Sequence, residues 1–308
     1  MAEPETIRAT QRSRPASVTT NLGEDVLLLR RMTGSEALGR PFELRLSLFS
    51  ENPDLRFQDI LGQSFTVRLE LANGGRRYFN GLVSHFSQSP GEGRYAHYQA
   101  TLRPWFWFLT RTADCRIYQN KTVPEIIREV FGRHDFAEFE DALSGSYRTW
   151  EYCVQYRETD FNFLSRLMEQ EGIYYFFRHA DGRHTLVLAD SVAAHDIVSG
   201  YGNIPYYPGN AQQRVYREQI IDWQVTRQVE PGAYELNDFD FTRPRASLLA
   251  RSSAPHDHQH ARLEIYDYPG EYTQSQHGDA YARIRLEELN AENERARGSG
   301  NAHGLPVG

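Results

Sequence analysis

The fold of this chain is decided by residues 150–177, WEYCVQYRETDFNFLSRLMEQEGIYYFF. Residues 152–156 are rich in strand-forming side chains, and Thr159 or Asp160 can cap a following helix by accepting hydrogen bonds from its free N–H groups. Gly172 fits the left-handed position that commonly ends a helix. Between these signals, apolar side chains recur at helical spacing at Phe161, Phe163, Leu164, Leu167 and Met168. The stretch therefore predicts a strand followed by a short amphipathic helix.

A hairpin is predicted directly after this helix. Residues 173–177 are continuously apolar and aromatic, which indicates a strand that is buried on both faces. Asp181-Gly182 is a hairpin-turn signal, and residues 185–188 are predicted to form the return strand. His179, Asp181 and His184 flank this turn, and we interpret them as exposed turn residues. The strand, helix and hairpin form a compact packing unit that contains no catalytic motif.

The residues before this unit predict a succession of antiparallel strands. In residues 41–49, Phe42, Leu44, Leu46 and Leu48 alternate with polar side chains, which is typical of a half-buried strand. Further strands are predicted at residues 26–30, 65–71, 77–86 and 95–102, with connections at residues 34–40, 73–75 and 89–93, a helical turn at 57–61, and Gly81 as a possible bulge. Four or five such strands in succession favour a small barrel or sandwich.

Two short segments between the strand groups carry further structural signals. Residues 122–125, TVPE, form a capping box with proline in the first turn of a helix, and Gly132 closes that helix. Residues 104–109, PWFWFL, hold two of the four tryptophans. We interpret this aromatic cluster as core packing, with a ligand-stacking platform as the alternative.

The last third of the chain adds strands and then a charged segment. Residues 219–230 place Ile221, Trp223 and Val225 on one strand face, and residues 234–241 and 263–268 have strand patterns. Residues 277–297 are predicted to be a charged helix that ends at 298–300; its thin apolar stripe is Tyr281, Ile284 and Leu289, and its i,i+3 ion pairs are Glu292–Arg295 and Glu294–Arg297.

Composition narrows the classes of function. The 308 residues suggest two domains or one large domain, and the net charge of −7 disfavours a nucleic-acid backbone as the main ligand. Residues 1–16 are predicted to be a disordered lead without the apolar core of a secretory signal, and no apolar run approaches the length of a membrane helix. Cys115 and Cys153 are interpreted as two buried thiols, although a disulfide between them stays open.

No enzymatic motif or cofactor site is predicted. His256, His258 and His260 would share one face of an extended segment and are weak candidates for a zinc or nickel site, but we prefer a polar loop after Pro255. Ser165 lies outside any nucleophile elbow. The sequence therefore predicts no catalytic residues, no cofactor and no metal.

Several separated motifs resemble a known family when they are taken together. They are FELRLSLFS at residues 42–50, DILGQSFTVRLEL at 59–71, YFNGLVSHF at 78–86, YQATLRPWFWFLT at 98–110, residues 152–177, RLEIYDYPGEY at 262–272 and ERARGSGNAHGL at 294–305. In this order they resemble the N-terminal region of valine-glycine repeat protein G (VgrG), the spike protein family of type VI secretion systems. The resemblance covers nearly the whole chain from about residue 21 onward.

The resemblance implies the fold of a contractile-phage tail hub. That fold is mainly β with short helices and has two antiparallel β-barrel-like subdomains built from interleaved segments. The first subdomain would comprise residues 17–112 and about 212–255, and the second residues 113–211 and about 256–298 with the C-terminal helix. Residues 299–308 would lead toward an oligonucleotide/oligosaccharide-binding-type fold and a β-helix needle that this chain does not contain.

The family resemblance also identifies positions that would define the fold. In residues 152–177 they are Tyr152, Tyr156, Asp160, Phe161, Leu164, Gly172, Tyr174, Tyr175 and Phe176. Elsewhere they are Pro41, Phe42, Gly62, Gly81, Pro104, Trp105, Tyr266, Asp267, Pro269 and Gly270.

The implied role is structural and not enzymatic. Three copies would form the base of the spike, cap the hexameric tail tube, and contact baseplate components, effector or adaptor proteins and a tip protein on the needle. The protein would reside in the cytoplasm before firing and then be secreted through the apparatus without a signal peptide. The alternatives are a baseplate hub of a phage or phage-like particle, a spike that carries a toxin domain, and a carbohydrate-binding module that uses Trp105, Trp107 or Trp223.

Overall fold

A six-stranded antiparallel sheet forms the first part of the chain in the computed structural model, which describes residues 9–208 and 218–308. Its strands are β1 (Ala16–Thr19), β2 (Leu28–Ala37), β3 (Arg40–Ser50), β4 (Ser64–Glu70), β5 (Arg76–Glu92) and β6 (Tyr95–Arg103), in the order β1-β4-β5-β6-β3-β2. The alternation predicted in β3 is confirmed, since Phe42, Leu44, Leu46 and Leu48 are all buried. A 3-10 turn at Phe57–Asp59 matches the predicted helical turn.

Gln11 bridges the two edge strands of this sheet and closes it. Its side-chain oxygen accepts hydrogen bonds from the backbone N–H groups of Val18 at 3.0 Å and Leu29 at 2.9 Å. Its side-chain nitrogen donates to the carbonyl oxygens of Val18 at 3.3 Å and Leu27 at 3.1 Å. The prediction of a disordered lead is therefore wrong for residues 9–16, because a buried side chain anchors them. Residues 1–8 lie outside the described residues.

The strand–helix–hairpin unit predicted from residues 150–177 is confirmed. The unit consists of β9 (Trp150–Thr159), α3 (Asp160–Glu171), β10 (Tyr174–Ala180) and β11 (Arg183–Ala189). The elements before it are α1 (Trp105–Phe108), β7 (Ala113–Lys121), α2 (Val123–Phe131) and β8 (Phe139–Asp141). Thr159 caps α3, and Gly172 ends it with φ of 71°. The capping box that begins α2 is formed by Thr122 and Glu125. β10, β11 and β8 make one sheet, and β7 pairs with β9 in a two-stranded ribbon.

The strand β10 is buried on both faces, as its continuous apolarity predicts. Tyr175 and Phe177 point into the main hydrophobic core, whereas Phe176 packs with Val187 and Ala189 in a separate cluster. Trp105 and Phe106 are also buried, so the aromatic cluster of residues 104–109 contributes to the core.

The prediction that His179 and His184 are exposed turn residues is wrong. The ring of His184 is buried, and its Nε2 accepts a hydrogen bond from the backbone N–H of Trp105 at 2.8 Å. Its Nδ1 lies 2.7 Å from the side-chain oxygen of Asn80. The His179 Nδ1 accepts from the backbone N–H of Asn80 at 3.0 Å. The hairpin thus packs against β5, a tertiary contact that turn chemistry does not reveal, while Asp181 stays exposed.

The last third of the chain forms a separate small sheet, a ribbon and a helix. The elements are β12 (Ile220–Arg227), β13 (Ala233–Leu236), β14 (Ala250–Ser253), β15 (Glu264–Asp267), α4 (Ser275–Asn290) and β16 (Glu294–Gly300). β14, β13 and β15 form one sheet, and α4 packs on it through a second core cluster that includes Tyr234, Leu236, Tyr281 and Leu286.

The predicted helix over residues 277–297 is wrong at its end. The helix stops at Asn290, and Glu294–Gly300 is a strand that pairs antiparallel with β12. Arg295 still pairs with Glu292, but Glu294 pairs with Arg227 across the ribbon and not with Arg297. Pairing with a distant strand overrides the local helical preference of this charged segment.

Other differences concern segment ends and single residues. β2 runs through the predicted connection at residues 34–37, and β5 runs through 89–92, because each has a partner strand there. β13 ends at Leu236, well before the predicted residue 241. Gly81 pairs regularly with Phe65 and is not a bulge. Instead, a Cβ atom at this position would lie 3.0 Å from both Leu102 and the Phe42 ring.

The two cysteines differ in environment. Cys153 is buried as predicted, whereas Cys115 is exposed and both thiols are free. Cys115 lies opposite Tyr156 in the β7–β9 register. The division of the chain into two interleaved barrel-like subdomains stays a prediction.

Candidate assembly surface

The β12–β16 ribbon has an apolar face that is exposed in the single chain. Ile221, Trp223 and Val225 are 44%, 54% and 53% exposed, respectively. In the ribbon register, Trp223 lies opposite Gly298 and Val225 opposite Ala296. These five residues are called the apolar ribbon face below. The sequence predicted that the three large side chains share a strand face, and all three are exposed in the structure. The ribbon register shifts between Ile220 and Asp222, so Ile221 lies at an irregularity next to the regular pairs of Trp223 and Val225.

The opposite face of the same ribbon is polar. It carries Asp222, Gln224 and Thr226 on β12, with Arg295 and Arg297 on β16. Within the described residues, β12 and β16 pair with each other and with no third named strand, apart from one isolated bridge between Tyr206 and Ile220. A two-stranded ribbon of this kind is marginally stable in water unless its apolar face is covered. The ribbon is therefore a candidate site of contact with another protein surface.

Glycine at position 298 lets the indole of Trp223 lie across the ribbon. A Cβ atom at Gly298 would come within 2.8 Å of the Trp223 ring. The indole therefore covers the neighbouring strand and leaves a broad, half-exposed aromatic surface. Large aromatic side chains of this kind are enriched in the centres of protein interfaces.

A second exposed apolar face lies on the β7–β9 ribbon. Ile117, Tyr152 and Tyr156 are 59%, 53% and 65% exposed. Cys115 and Val154 lie among them on the same face, because Cys115 is opposite Tyr156 and Ile117 is opposite Val154. These five residues are called the outer tyrosine face below. The other side of this ribbon is buried through Tyr118, Cys153 and Gln155.

A third group of exposed apolar side chains surrounds the β13–β15 sheet. It consists of Phe239, Phe241, Leu249, Leu263, Tyr266 and Tyr268. Only Tyr266 of this group stands on a strand, and the others lie in connecting segments. The group therefore does not form a regular strip like the two ribbon faces.

Most of the family-like positions are buried or partly buried, or take part in local contacts and turns. Asp160 is buried, and its carboxylate accepts hydrogen bonds from Gln155 Nε2 at 2.8 Å and Thr112 Oγ1 at 2.9 Å. Pro104 precedes α1, and Gly62 has φ of 78°. Buried or partly buried family-like side chains are Pro41, Phe42, Trp105, Phe161, Leu164, Tyr174, Tyr175 and Phe176. Tyr152, Tyr156 and Tyr266 are the exposed aromatic exceptions.

The family-like residues around 266–270 shape a turn at the end of β15. The peptide bond between Tyr268 and Pro269 is cis. Asp267 accepts a hydrogen bond from the Tyr268 backbone N–H at 2.8 Å, and a Cβ atom at Gly270 would clash with Tyr272. These positions therefore serve local structure.

The candidate metal histidines lie in a turn-rich loop and not on an extended segment. The rings of His256 and His258 stack with centroids 5.5 Å apart, and His256 Nε2 lies 2.9 Å from the side-chain oxygen of Asn290. His260 has a positive φ of 69°. Across residues 9–208 and 218–308, no group of three or more His, Cys, Asp or Glu side chains is arranged to hold a metal ion.

The tryptophans offer little for carbohydrate stacking. Trp105 is buried, and the Arg103 and Arg111 guanidinium groups lie 5.1 and 4.6 Å from the ring centroid of Trp107. Trp223 is the exposed exception, and it belongs to the apolar ribbon face. None of the helices in the described part of the chain is long and apolar enough to cross a membrane.

Comparison with known sequences gives one consistent family. Residues 35–308 match the model of the phage tail baseplate hub (GPD) family. The type VI secretion system spike proteins VgrG1b and VgrG1a of Pseudomonas aeruginosa are each 54% identical to this chain over 298 residues, which is 97% of the chain. Those residues span 40% and 46% of the two relatives, so this chain covers less than half the length of either.

A more distant relative is named as a toxin. The actin cross-linking toxin VgrG1 of Vibrio cholerae is 28% identical over 307 residues, which cover 93% of this chain and 27% of that protein.

Comparison with solved structures supports the hub fold. The E. coli c3393 protein, described as a component of the type VI secretion system with structural similarity to the T4 bacteriophage tail proteins gp27 and gp5, superimposes with a TM-score of 0.63 at 20% identity. The match covers 96% of this chain and 63% of that protein. The 43 kDa tail protein of prophage MuSo2 from Shewanella oneidensis gives 0.59 at 12% identity, with 91% and 80% covered. At these identities the similarity shows the fold alone.

Proposed function

Because this chain belongs to the phage tail baseplate hub (GPD) family, we propose that it forms the base of a type VI secretion spike. The 54% identity to two spike proteins favours this setting over a phage or phage-like particle, since the prophage tail protein shares only 12%. The role is structural: the chain acts by covering matching surfaces and not by chemistry on a substrate.

The observation that carries the proposal is the exposed apolar ribbon face. A face with Ile221, Trp223 and Val225 about half exposed is costly in water, because burial of apolar surface contributes roughly 25 cal/mol per Å². A second copy of this chain covers that face in the proposed assembly. Three copies then close into a ring, in which the contact between neighbours is repeated by rotation.

The ring caps the hexameric tail tube. If each chain contributes two barrel-like units, three chains present six units to the six subunits of the tube. The rim of this ring would bind further partners, namely baseplate components and effector or adaptor proteins. A tip protein would bind only a needle that follows these residues in a longer chain. The protein would wait in the cytoplasm and leave with the tube on firing.

Native mass spectrometry and light scattering test the trimer. We expect a species of three times 35.6 kDa that co-sediments with rings of the hexameric tube protein. The substitution Trp223→Asp should shift the population to monomer, while Gln224→Asp, on the polar face of the same strand, should leave the trimer intact. A wild-type chain that is monomeric or dimeric at every concentration would overturn the proposed function.

A further inference from the structure

We propose that residues 228–293 form a hinged module and that Arg148 is the latch that holds this module against α3. The module comprises β13, β14, β15 and α4, which are inserted between the paired strands β12 and β16. Residues 9–208 are called the body below. The motion takes place within one chain and does not depend on the proposed trimer.

The module begins and ends at one hydrogen-bonded pair of residues. The backbone N–H of Gln228 donates to the carbonyl oxygen of Asn293 at 2.9 Å, and Asn293 Nδ2 donates to the carbonyl oxygen of Gln228 at 2.8 Å. Arg227 and Glu294, which flank this pair, form the last pair of the β12–β16 ladder. A unit whose two ends lie side by side has the connectivity of an inserted domain, and rotation at this pair would turn it as a whole.

The module has a hydrophobic core of its own. Tyr234 and Leu236 of β13 pack with Leu286 of α4 in a cluster that is separate from the main core of the body. Within the described residues, β13 pairs with β14 and β15 and with no strand of the body. Because the apolar side chains of the module cover one another, the module can turn without exposing this core to water.

The contact between the module and the body lies mainly between α4 and α3. Its apolar part is Ile284 of α4, whose side chain would lie 3.1 Å from a Cβ atom at Gly172. Beside it, the Arg285 guanidinium donates a hydrogen bond to Gln170 Oε1 at 3.4 Å. An interface with so small an apolar part permits relative motion of the two units, whereas a large apolar interface would fix them.

Arg148 lies between the two sides of this contact. Its guanidinium is 3.8 Å from the ring centroid of Trp150 on the body and 5.2 Å from that of Tyr281 on the module. It also donates a hydrogen bond of 2.6 Å to the backbone carbonyl oxygen of Glu271, in the segment before α4. A planar cation that stacks on an aromatic ring of each unit and bonds to the module links the two sides.

Glu171 completes the joint from the last position of α3. Its Oε1 accepts hydrogen bonds from Trp150 Nε1 at 3.0 Å and from the Tyr281 hydroxyl at 2.9 Å. Burial, together with the Glu171 charge, raises the pKa of Tyr281, so its hydroxyl keeps the proton that it donates. Arg148 and Glu171 therefore contact the same two aromatic side chains, one from the body and one from the module.

Distance measurements between two spin labels by double electron–electron resonance test the hinge. One label is placed on the body by Asn162→Cys on α3, and the other on the module by Asp279→Cys on α4, both at exposed positions. The native thiol on the outer tyrosine face is removed by Cys115→Ser, and Cys153 is buried. A control pair, Asn162→Cys with Gln119→Cys, lies wholly within the body. Labelled chains are diluted with unlabelled protein, so that only distances within one chain are measured.

We expect one narrow distance across the joint in the chain with the native Arg148. Arg148→Ala should add a second, displaced population, because loss of a charged hydrogen bond raises an opening equilibrium about ten- to hundredfold. The control pair should stay narrow in both proteins. Arg116→Ala removes an exposed guanidinium that pairs with Asp114 on β7, and it should leave the distance across the joint unchanged.

Hydrogen–deuterium exchange separates turning of the module from its unfolding. The amides of α4 should remain protected in Arg148→Ala, because the core of the module stays closed while the joint opens. Rapid exchange throughout α4 would mean that the module unfolds, and the hinge would then be wrong.

Other results would also overturn the proposal. An unshifted, narrow distance in Arg148→Ala excludes the latch, and so does a broad distance in the chain with the native Arg148. If Arg148→Ala yields no folded protein, Glu171→Gln takes its place. The neutral acceptor weakens the hydrogen bonds from Trp150 and Tyr281, so the distance should be displaced in the same direction, and an unchanged distance overturns the latch. A chain that fails to form a trimer overturns the proposed function alone.

Discussion

The guanidinium of Arg77 donates a hydrogen bond of 2.8 Å to the carbonyl oxygen of His303, 226 residues later in the chain. It also donates to the carbonyl oxygen of Leu305 at 2.5 Å. Arg77 lies 3.5 Å from Glu36, whose carboxylate is 2.8 Å from His179 Nε2. The first sheet, the β10–β11 hairpin and the C-terminal segment are therefore joined through one chain of polar contacts.

The substitution Arg77→Ala should release residues 301–308 from the first sheet. Both hydrogen bonds to the segment are lost, and a charged donor of this kind contributes roughly 1.5–3 kcal/mol. We expect faster hydrogen–deuterium exchange in residues 301–308 with little change in the core. Arg76→Ala is the control, since Arg76 is an exposed neighbour on the same strand. Equal exchange in both variants would show that Arg77 does not hold the segment.

Stability should fall as pH drops from about 6.5 toward 3, in part because of His184. Burial, with a smaller contribution from His179, lowers the pKa of His184 from 6.5 to about 3 in the folded chain. The unfolded state therefore binds a proton that the folded state does not, and folding is disfavoured in that window by up to about 1.4 kcal/mol per pH unit. Urea unfolding at several pH values measures this slope. The His184→Gln variant should show a shallower slope, and an unchanged slope would remove His184 as a cause.

Loss of the Gln11 side chain should open the six-stranded sheet. Gln11→Ala leaves the backbone groups of Val18, Leu27 and Leu29 without the partners that they have in the closed sheet. An unsatisfied buried polar group costs about 1–3 kcal/mol, so we expect a loss of at least that size in unfolding free energy. Ser13→Ala, at an exposed position nearby, should change it little. Similar values for the two variants would show that β1 and β2 close without Gln11.

Alanine at position 172 should destabilise the chain more than alanine at position 182. Both glycines have a positive φ, of 71° and 78°, which costs an L-residue roughly 1–2 kcal/mol. A Cβ atom at residue 172 would also lie 3.1 Å from the Ile284 side chain of α4, whereas a Cβ atom at residue 182 meets nothing within 4 Å. The difference in unfolding free energy between the two variants measures the contact of α3 with α4. Equal losses would mean that Ile284 moves aside freely.

The candidate surface could be predicted only in part. The alternation of Ile221, Trp223 and Val225 identified a strand face, because side chains alternate between the two faces of any strand. It did not show whether that face is buried in the chain. Tyr152 and Tyr156 illustrate the same limit: they belong to the segment that decides the fold, yet they are exposed, while Cys153 between them is buried.

Local sequence determined the elements whose signals lie within a few residues. The capping box at Thr122 and Glu125, the glycine end of α3 and the alternation in β3 depend on backbone geometry and neighbouring side chains, and the structure confirms each of them. The aromatic run after Gly172 likewise required burial on both faces, since no other environment suits so much continuous apolar surface.

Tertiary structure alone decided the features that depend on distant partners. The residues of Glu294–Gly300 became a strand because β12 supplies hydrogen bonds from about seventy positions earlier, a gain that local helix propensity cannot match. His184 is buried because Asn80 and the Trp105 backbone satisfy its nitrogens, and Gln11 is ordered because two strand edges meet around it. Each of these features depends on hydrogen bonds between residues that are far apart in the sequence. Local sequence periodicity does not identify such partners.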